Sequence, residues 1–266
     1  MNSAETSTSP VVPTARDPEK GILFISVSQF GVSFSFNCIM SFMPFYILKI
    51  SEYGTKETML WIGLIMGISP LVTAVAAPFW GSLTTRIRPK LLYQAGTFFN
   101  GVIFLLLGFA GSLPLLLFLR ICQGFLGGIS TIGLVLIASS SPEGRLHRHM
   151  SHFQNSITAG QLVGPPLGAY AVALFGYRSP FIMAFVAVFL ALVFCHYYVW
   201  DIPVQPKGEK QGRIGKAGVI WGWALGIIGT IHLTFLPSIL PQILEGFHLM
   251  EDAAVTAAGE IMMAYT

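Results

Sequence analysis

Charge is what this sequence has least of. Only 10% of its 266 residues are Asp, Glu, Lys or Arg, while 53% are hydrophobic and the mean hydropathy is +0.68. A soluble domain carries about 25% charged residues, so too few remain here to cover a water-facing surface. Acids are absent where apolar residues are densest: no Asp or Glu falls inside the first six long apolar blocks. That removes the cluster of carboxylate, histidine or serine at one depth that a membrane-embedded enzyme needs, and the chain reads as a non-enzyme. Cysteine is also sparse. Cys38, Cys122 and Cys195 each sit in a different apolar block, which excludes the disulfide framework of small secreted domains and leaves them as small apolar fillers. A cleavable leader is not expected either. Residues 1–20 hold three prolines and no apolar core, the composition of a disordered tail rather than of a signal peptide. The net charge of +3 does not point to nucleic acid, because the basic residues lie between the apolar blocks.

What is present is a series of apolar runs of 20 or more residues, the length that crosses a bilayer as helix. They fall at about 22–48, 59–80, 91–111, 114–138, 152–174, 179–200 and 218–243, and an eighth begins near Ala253 and is cut off at Thr266. Barrel strands span in about 10 residues, so sheets are excluded. The expected fold is all-α: a polytopic membrane bundle of about seven complete spans and a truncated eighth. An N-terminus in the cytoplasm puts Arg16, Lys20, Arg86, Arg88, Lys90, Arg145, Arg148, Lys207, Lys210, Arg213 and Lys216 inside, and only Lys49, Lys56 and Arg178 outside. The excess of basic residues on one side sets that orientation.

The polar stretch 201–217, with Pro203, Pro206, Gly208 and Gly212, is the longest linker. It divides the chain into a tail (1–20), a six-helix bundle (21–200), a cytoplasmic linker (201–217) and the truncated start of a second bundle (218–266). The segment 139–150 reads as a basic cytoplasmic loop. His147, His149 and His152 lie in or beside it without cysteine or a second ligand group, so they read as solvated side chains and not as a zinc set.

Three motifs follow. Between spans two and three stands Gly81-Ser82-Leu83-Thr84-Thr85-Arg86-Ile87-Arg88-Pro89-Lys90, whose cations hold the helix ends at an anionic leaflet and whose Gly81 is expected to allow a tight helix exit. Span four carries Leu119-Arg120-Ile121-Cys122-Gln123-Gly124. A charge at the centre of a span costs about 2.5–3.5 kcal/mol, so Arg120 needs a polar partner or must snorkel to the surface. Span five reads Gly160-Gln161-Leu162-Val163-Gly164-Pro165-Pro166-Leu167-Gly168. Its glycines recur every four residues and make a groove for close helix packing, while Pro165 cannot donate its backbone hydrogen bond and is expected to bend or loosen the helix.

These motifs, in this order, resemble the major facilitator superfamily. Gly81, Leu83, Arg86 and Lys90 match its loop signature; Thr85 stands where the family has an aspartate that helps latch the two halves. Arg120, Gln123 and Gly124 match the fourth-span motif, whose arginine is held to assist proton movement or substrate binding. Gly160, Gly164, Pro165 and Gly168 match the antiporter motif. The resemblance implies a twelve-span fold of two bundles, a monomer at full length in the cytoplasmic (inner) membrane, and alternating access to a site between the bundles. It further implies export of small hydrophobic or amphipathic molecules, driven by a proton gradient and without a bound cofactor. The same fold also serves proton symporters that import solutes, and the seven spans leave a signalling receptor as a reading from another class.

On that resemblance Gln29, Asn37, Arg120, Gln123, Asn155 and His232 are expected around the substrate cavity, with Phe30, Phe34, Trp221 and Trp223 as aromatic lining. Gln29, Ser33 and Asn37 share one helix face, although polar side chains there can equally serve only to bond a neighbouring helix. Glu260, about two turns into the eighth stretch, and His232 are the candidate proton carriers. A faint echo of Gly63, Gly67 and Pro70 in Gly160, Gly164 and Pro165 has the form of an inverted repeat.

Overall fold

The computed structural model describes residues 18–142, 144–199, 221, 224–225, 228, 235–244, 246–247 and 251–265, and every regular element among them is a helix. In chain order these are α1 (Pro18–Met40), α2 (Met43–Ile50), α3 (Thr55–Leu83), α4 (Pro89–Leu107), α5 (Leu113–Leu126), α6 (Ile129–Ser140), α7 (Leu146–Phe175), α8 (Ser179–Tyr198), α9 (Phe235–Leu244) and α10 (Glu251–Tyr265). Among the described residues, six stretches are long and apolar enough to cross a membrane, with α5 and α6 joined as one. The seventh expected span and the linker at 201–217 fall largely or wholly outside the described residues.

Local sequence explains the interruptions. Pro44 lacks the N–H that would reach the Met40 carbonyl and its ring crowds that turn, so α1 stops at Met40 and α2 restarts from Met43. Between α5 and α6 stand Gly127 and Gly128, where a Cβ would lie 2.2 Å from Thr73 Oγ1 and 2.6 Å from the Trp80 ring respectively. Span four therefore breaks where α3 presses against it. The prolines inside α3 and α7 break neither helix. α7 ends at Gly176, whose φ of +82° suits glycine.

The segment 139–150 needs a further correction. α6 runs to Ser140 and α7 starts at Leu146, so His147, His149 and His152 stand on the first turns of α7. His149 is buried and its Nδ1 lies 2.9 Å from Ser141 Oγ.

Two apolar clusters hold the bundle. One gathers Ile39, Phe42, Met43, Ile62, Ile65, Phe104, Leu107, Phe181 and, from the later helices, Leu240, Val255 and Ala258. The other gathers Ile22, Ile25, Tyr93, Ile132, Leu136, Phe153 and Cys195. Successive spans meet the clusters in opposite order, so the six run up and down. The start of α1, the 84–88 and 141–145 connections and the end of α8 share one end. That end carries Lys20, Arg86, Arg88, Lys90, Arg145 and Arg148; Lys49, Lys56 and Arg178 lie at the other. Outward faces bear exposed apolar residues such as Leu60, Leu174 and Phe175, a surface that is stable only against lipid or protein.

α1 is the hub, packed most extensively on α7 and then α8. Hydroxyls fasten it: Ser28 and Ser35 donate to the Ala191 and Ala184 carbonyls of α8, Ser33 to Ile157 O of α7 at 2.8 Å, and Ser41 to Pro165 O at 3.3 Å. The glycine face of α7 meets α1 backbone to backbone. A Cβ at Gly160 would lie 2.7 Å from Phe34 N, at Gly164 2.9 Å from Cys38 N, and at Gly168 2.2 Å from Cys38 O. On another face of α7, Gly259 of α10 packs so closely that a Cβ there would lie 2.9 Å from Pro165 O. By contrast, a Cβ at Gly63 or Gly67 meets nothing within 4 Å, so the echo between spans two and five has no counterpart in packing among the described residues.

Candidate functional site

Between the two apolar clusters lies a cavity of about 460 Å³. Five of the six described spans contribute at mid-height: Gln29, Val32, Ser33, Phe36 and Asn37 from α1; Ser69, Pro70, Thr73, Ala74 and Ala77 from α3; Asn100 from α4; Gln123, Ile129 and Ser130 from the joined α5 and α6; Ile157 and Gln161 from α7. The sixth, α8, lends no lining residue. None of the lining residues is charged.

Its polar groups are fixed in place. Gln29 is buried, donates through Nε2 to Ser130 Oγ at 2.9 Å and accepts from the Tyr93 hydroxyl at 3.3 Å. Asn37 donates to Ser33 O of its own helix at 2.9 Å, which leaves its carbonyl oxygen for the cavity side. Asn100 is 7% exposed and its Oδ1 has no partner.

Arg120 stands behind the wall. It is 0% exposed, so it does not snorkel. Its Nε donates to Ile65 O at 3.1 Å, one terminal nitrogen to Met66 O at 3.4 Å, and the other to Gln123 Oε1. Pro70 explains why one of those carbonyls is open. Lacking an N–H, it leaves Met66 O, four residues earlier, without its helical partner. Bonds from a charged donor contribute about 1.5–3 kcal/mol each, the size needed against the cost of a buried guanidinium, and no carboxylate among the described residues pairs with it. Gln123 is oriented in turn: its oxygen faces the guanidinium, so its Nε2 must point away, buried and without a partner. Gly124 permits the approach, since a Cβ there would lie 2.4 Å from Ser69 O. The Phe36 ring, 5.9 Å from the guanidinium, also lines the cavity. The result is an uncharged, partly apolar chamber with a positive charge held one layer away, able to bind amphipathic molecules through amide groups and an aromatic face.

Several expected residues lie elsewhere. Asn155 and Phe30 line a second crevice between α1 and α7 at the cationic end, because α7 turns Ile157 and Gln161 toward the chamber and Asn155 away from it. Phe34 is packed against α7 and is absent from the lining. Trp221 is 70% exposed; Trp223 and His232 are outside the described residues. Glu260 is not in the chamber either. It is exposed on α10 and accepts a hydrogen bond from Tyr170 of α7 at 2.9 Å.

In the loop motif, Gly81 is still inside α3, which corrects its assignment as the exit; the helix ends two residues later. Leu83 packs against the apolar cluster at that end, Thr85 bonds Ser82 O of its own turn at 2.8 Å, and Arg86 continues the turn through its N–H to Leu83 O. Lys90 reaches across to the end of α8, donating to His196 O at 3.1 Å and to Val199 O.

Sequence reasoning passed over Ser69, Thr73, Asn100 and Ser130. Asn100 had a usable signal, an amide inside an apolar span, which is costly without a purpose; the short hydroxyls did not, since serine and threonine are common in spans.

The family profile described as Major Facilitator Superfamily matches residues 25–266. Among curated proteins, the chain is 30% identical over 67% of its length to a multidrug resistance protein MdtG of Yersinia enterocolitica, covering 44% of that protein. It is 29% identical over 74% of its length to MdtG of Dickeya zeae, covering 49%. The chain thus spans about half the length of the curated relatives it matches. Among solved structures, a bacterial homolog of the human lysosomal transporter Spinster, inward-facing and occupied, superposes with a TM-score of 0.75 at 14% identity, over 94% of this chain and 59% of that one. A D-xylose–proton symporter does so with a TM-score of 0.64 at 15% identity, over 91% and 65%.

Proposed function

The chain belongs to the Major Facilitator Superfamily, and from that premise we propose that the protein exports small hydrophobic or amphipathic molecules across the inner membrane in exchange for protons. The observation that carries this reading is the mid-height chamber, uncharged and partly apolar, with Arg120 held behind Gln123 and Phe36. A ligand with an apolar body and a few polar groups fits such a lining. The multidrug resistance relatives support the same ligand class and the outward direction.

In this reading the second bundle packs over the chamber and rocks against the first, opening it to each side in turn. The cationic end faces the cytoplasm, as the excess of Lys and Arg there favours. Proton coupling rests on family kinship; Glu260 on α10 and His232 are the candidate carriers.

The test uses the whole protein in liposomes loaded with a fluorescent hydrophobic dye. An imposed pH gradient should drive dye movement against its own gradient, and collapsing the proton gradient should stop it. Dye flux indifferent to the gradient would refute proton coupling. Gradient-driven uptake in the same direction as the protons would replace export by symport.

A further inference from the structure

The crevice that holds Asn155 carries chemistry that transport through the central chamber does not use. It measures about 710 Å³ and shares no lining residue with the chamber. Its mouth is formed by Glu19 and Lys20 of α1 and by Arg148, His152 and Ser156 of α7. The acid there is already engaged, since Glu19 is ion-paired with Arg145 outside the crevice. Lys20 and Arg148 are left as two positive charges with no carboxylate bonded to them among the described residues. Beneath them the floor turns apolar: Leu23 is 59% and Val27 39% exposed, and Phe30 closes the inner end.

We propose that this crevice binds the phosphate headgroup of an anionic phospholipid, with an acyl chain along Leu23 and Val27. Arginine offers phosphate a two-pronged fork and lysine a point charge. Basic pockets between membrane helices near the anionic leaflet are suited to such headgroups. Free phosphate would satisfy the cations but leave the apolar floor uncovered, which is why a lipid is the better occupant.

The experiment titrates the whole protein, in neutral detergent, with dioleoyl phosphatidylglycerol or dioleoyl phosphatidylcholine and counts bound lipid by native mass spectrometry. Phosphatidylglycerol should bind more tightly. Lys20→Gln and Arg148→Gln should each weaken it about fivefold and the pair about 25-fold, the factor that about 1 kcal/mol per basic residue gives. Lys20→Arg should preserve binding, and Lys56→Gln, an exposed cation at the other end of the bundle, should leave it unchanged. Leu23→Asn should weaken binding with both cations in place. A double variant that keeps the wild-type preference overturns the site. An equal loss in Lys56→Gln overturns it in favour of diffuse surface charge. Full displacement of the lipid by equimolar inorganic phosphate overturns the lipid assignment. Binding is read without any flux, so its outcome is independent of the transport proposal.

Discussion

Replacing Gly168 by alanine tests whether α7 and α1 really touch through their backbones. The added methyl carbon would sit 2.2 Å from the Cys38 carbonyl oxygen, where a carbon–oxygen contact needs about 3.3 Å. The helices must therefore part by about 1 Å at that level. A movement of that size breaks the Ser41 to Pro165 hydrogen bond, already 3.3 Å long and worth about 0.6 kcal/mol between membrane helices. It also opens the packing above and below. Overpacking of this kind costs about 1–3 kcal/mol. The control is Gly63→Ala on α3, where a Cβ meets nothing within 4 Å and where relief from glycine should add about 0.5–1 kcal/mol. Thermal unfolding of both variants in one detergent supplies the readout. Gly168→Ala should melt roughly 3–10 °C below the parent, and Gly63→Ala slightly above it. If Gly168→Ala melts at or above Gly63→Ala, α7 and α1 do not meet backbone to backbone, and the packing account of the antiporter-type motif goes with it.

Arg120→Ala should cost about 2–4 kcal/mol in the parent but distinctly less in a Pro70→Ala background, because the restored amide of residue 70 then occupies Met66 O; a double-mutant cycle of unfolding energies showing no coupling would refute the proline's part. Asn100→Leu should raise stability by about 1–3 kcal/mol by removing a buried oxygen without a partner while impairing transport, and a fall in melting temperature would mean that Asn100 is satisfied after all. Lys90→Met should fray the end of α8, seen as faster hydrogen exchange at the Val199 amide, which bonds Cys195 O at 3.2 Å; unchanged exchange would show that the lysine is dispensable as a cap.

The extent to which the sequence was readable differed by level. The spans were legible because apolar length is a direct physical requirement of the bilayer, and the glycine spacing of span five announced a close contact because i, i+4 small residues share a face. The partner of that contact was not legible: nothing local says that Gly160, Gly164 and Gly168 should meet α1. Arg120 was marked by its cost in an apolar block, yet its acceptors were hidden, because a carbonyl freed by Pro70 carries no label in the side-chain alphabet. Asn155 and Gln161 looked equivalent on span five and were separated only by the rotation of α7, about 100° per residue. The start of α7 was misplaced since His147, Arg148 and His149 lower hydropathy, although the turns they occupy are helical. Glu260 was flagged by chemistry alone, and chemistry could not tell that it would stand exposed on a helix packed against α7, bonded to Tyr170.

α7 meets α1 through three glycines and meets Gly259 of α10 through the Ala169 methyl and the Pro165 carbonyl, so at these points it is clamped between two neighbours with little flexible side-chain padding. Padding is what gives an interface slack: rotamers yield, and small displacements die out within one layer. A joint of bare backbone has little such compliance. A shift of α10 by a fraction of an ångström would reach α1 nearly undiminished, and α1 bears Gln29, Ser33 and Asn37. The consequence is a stiff transmission in which the chamber's shape follows the position of the later helices, and in which natural variation should gather on the lipid-facing sides of α7, where nothing is being driven.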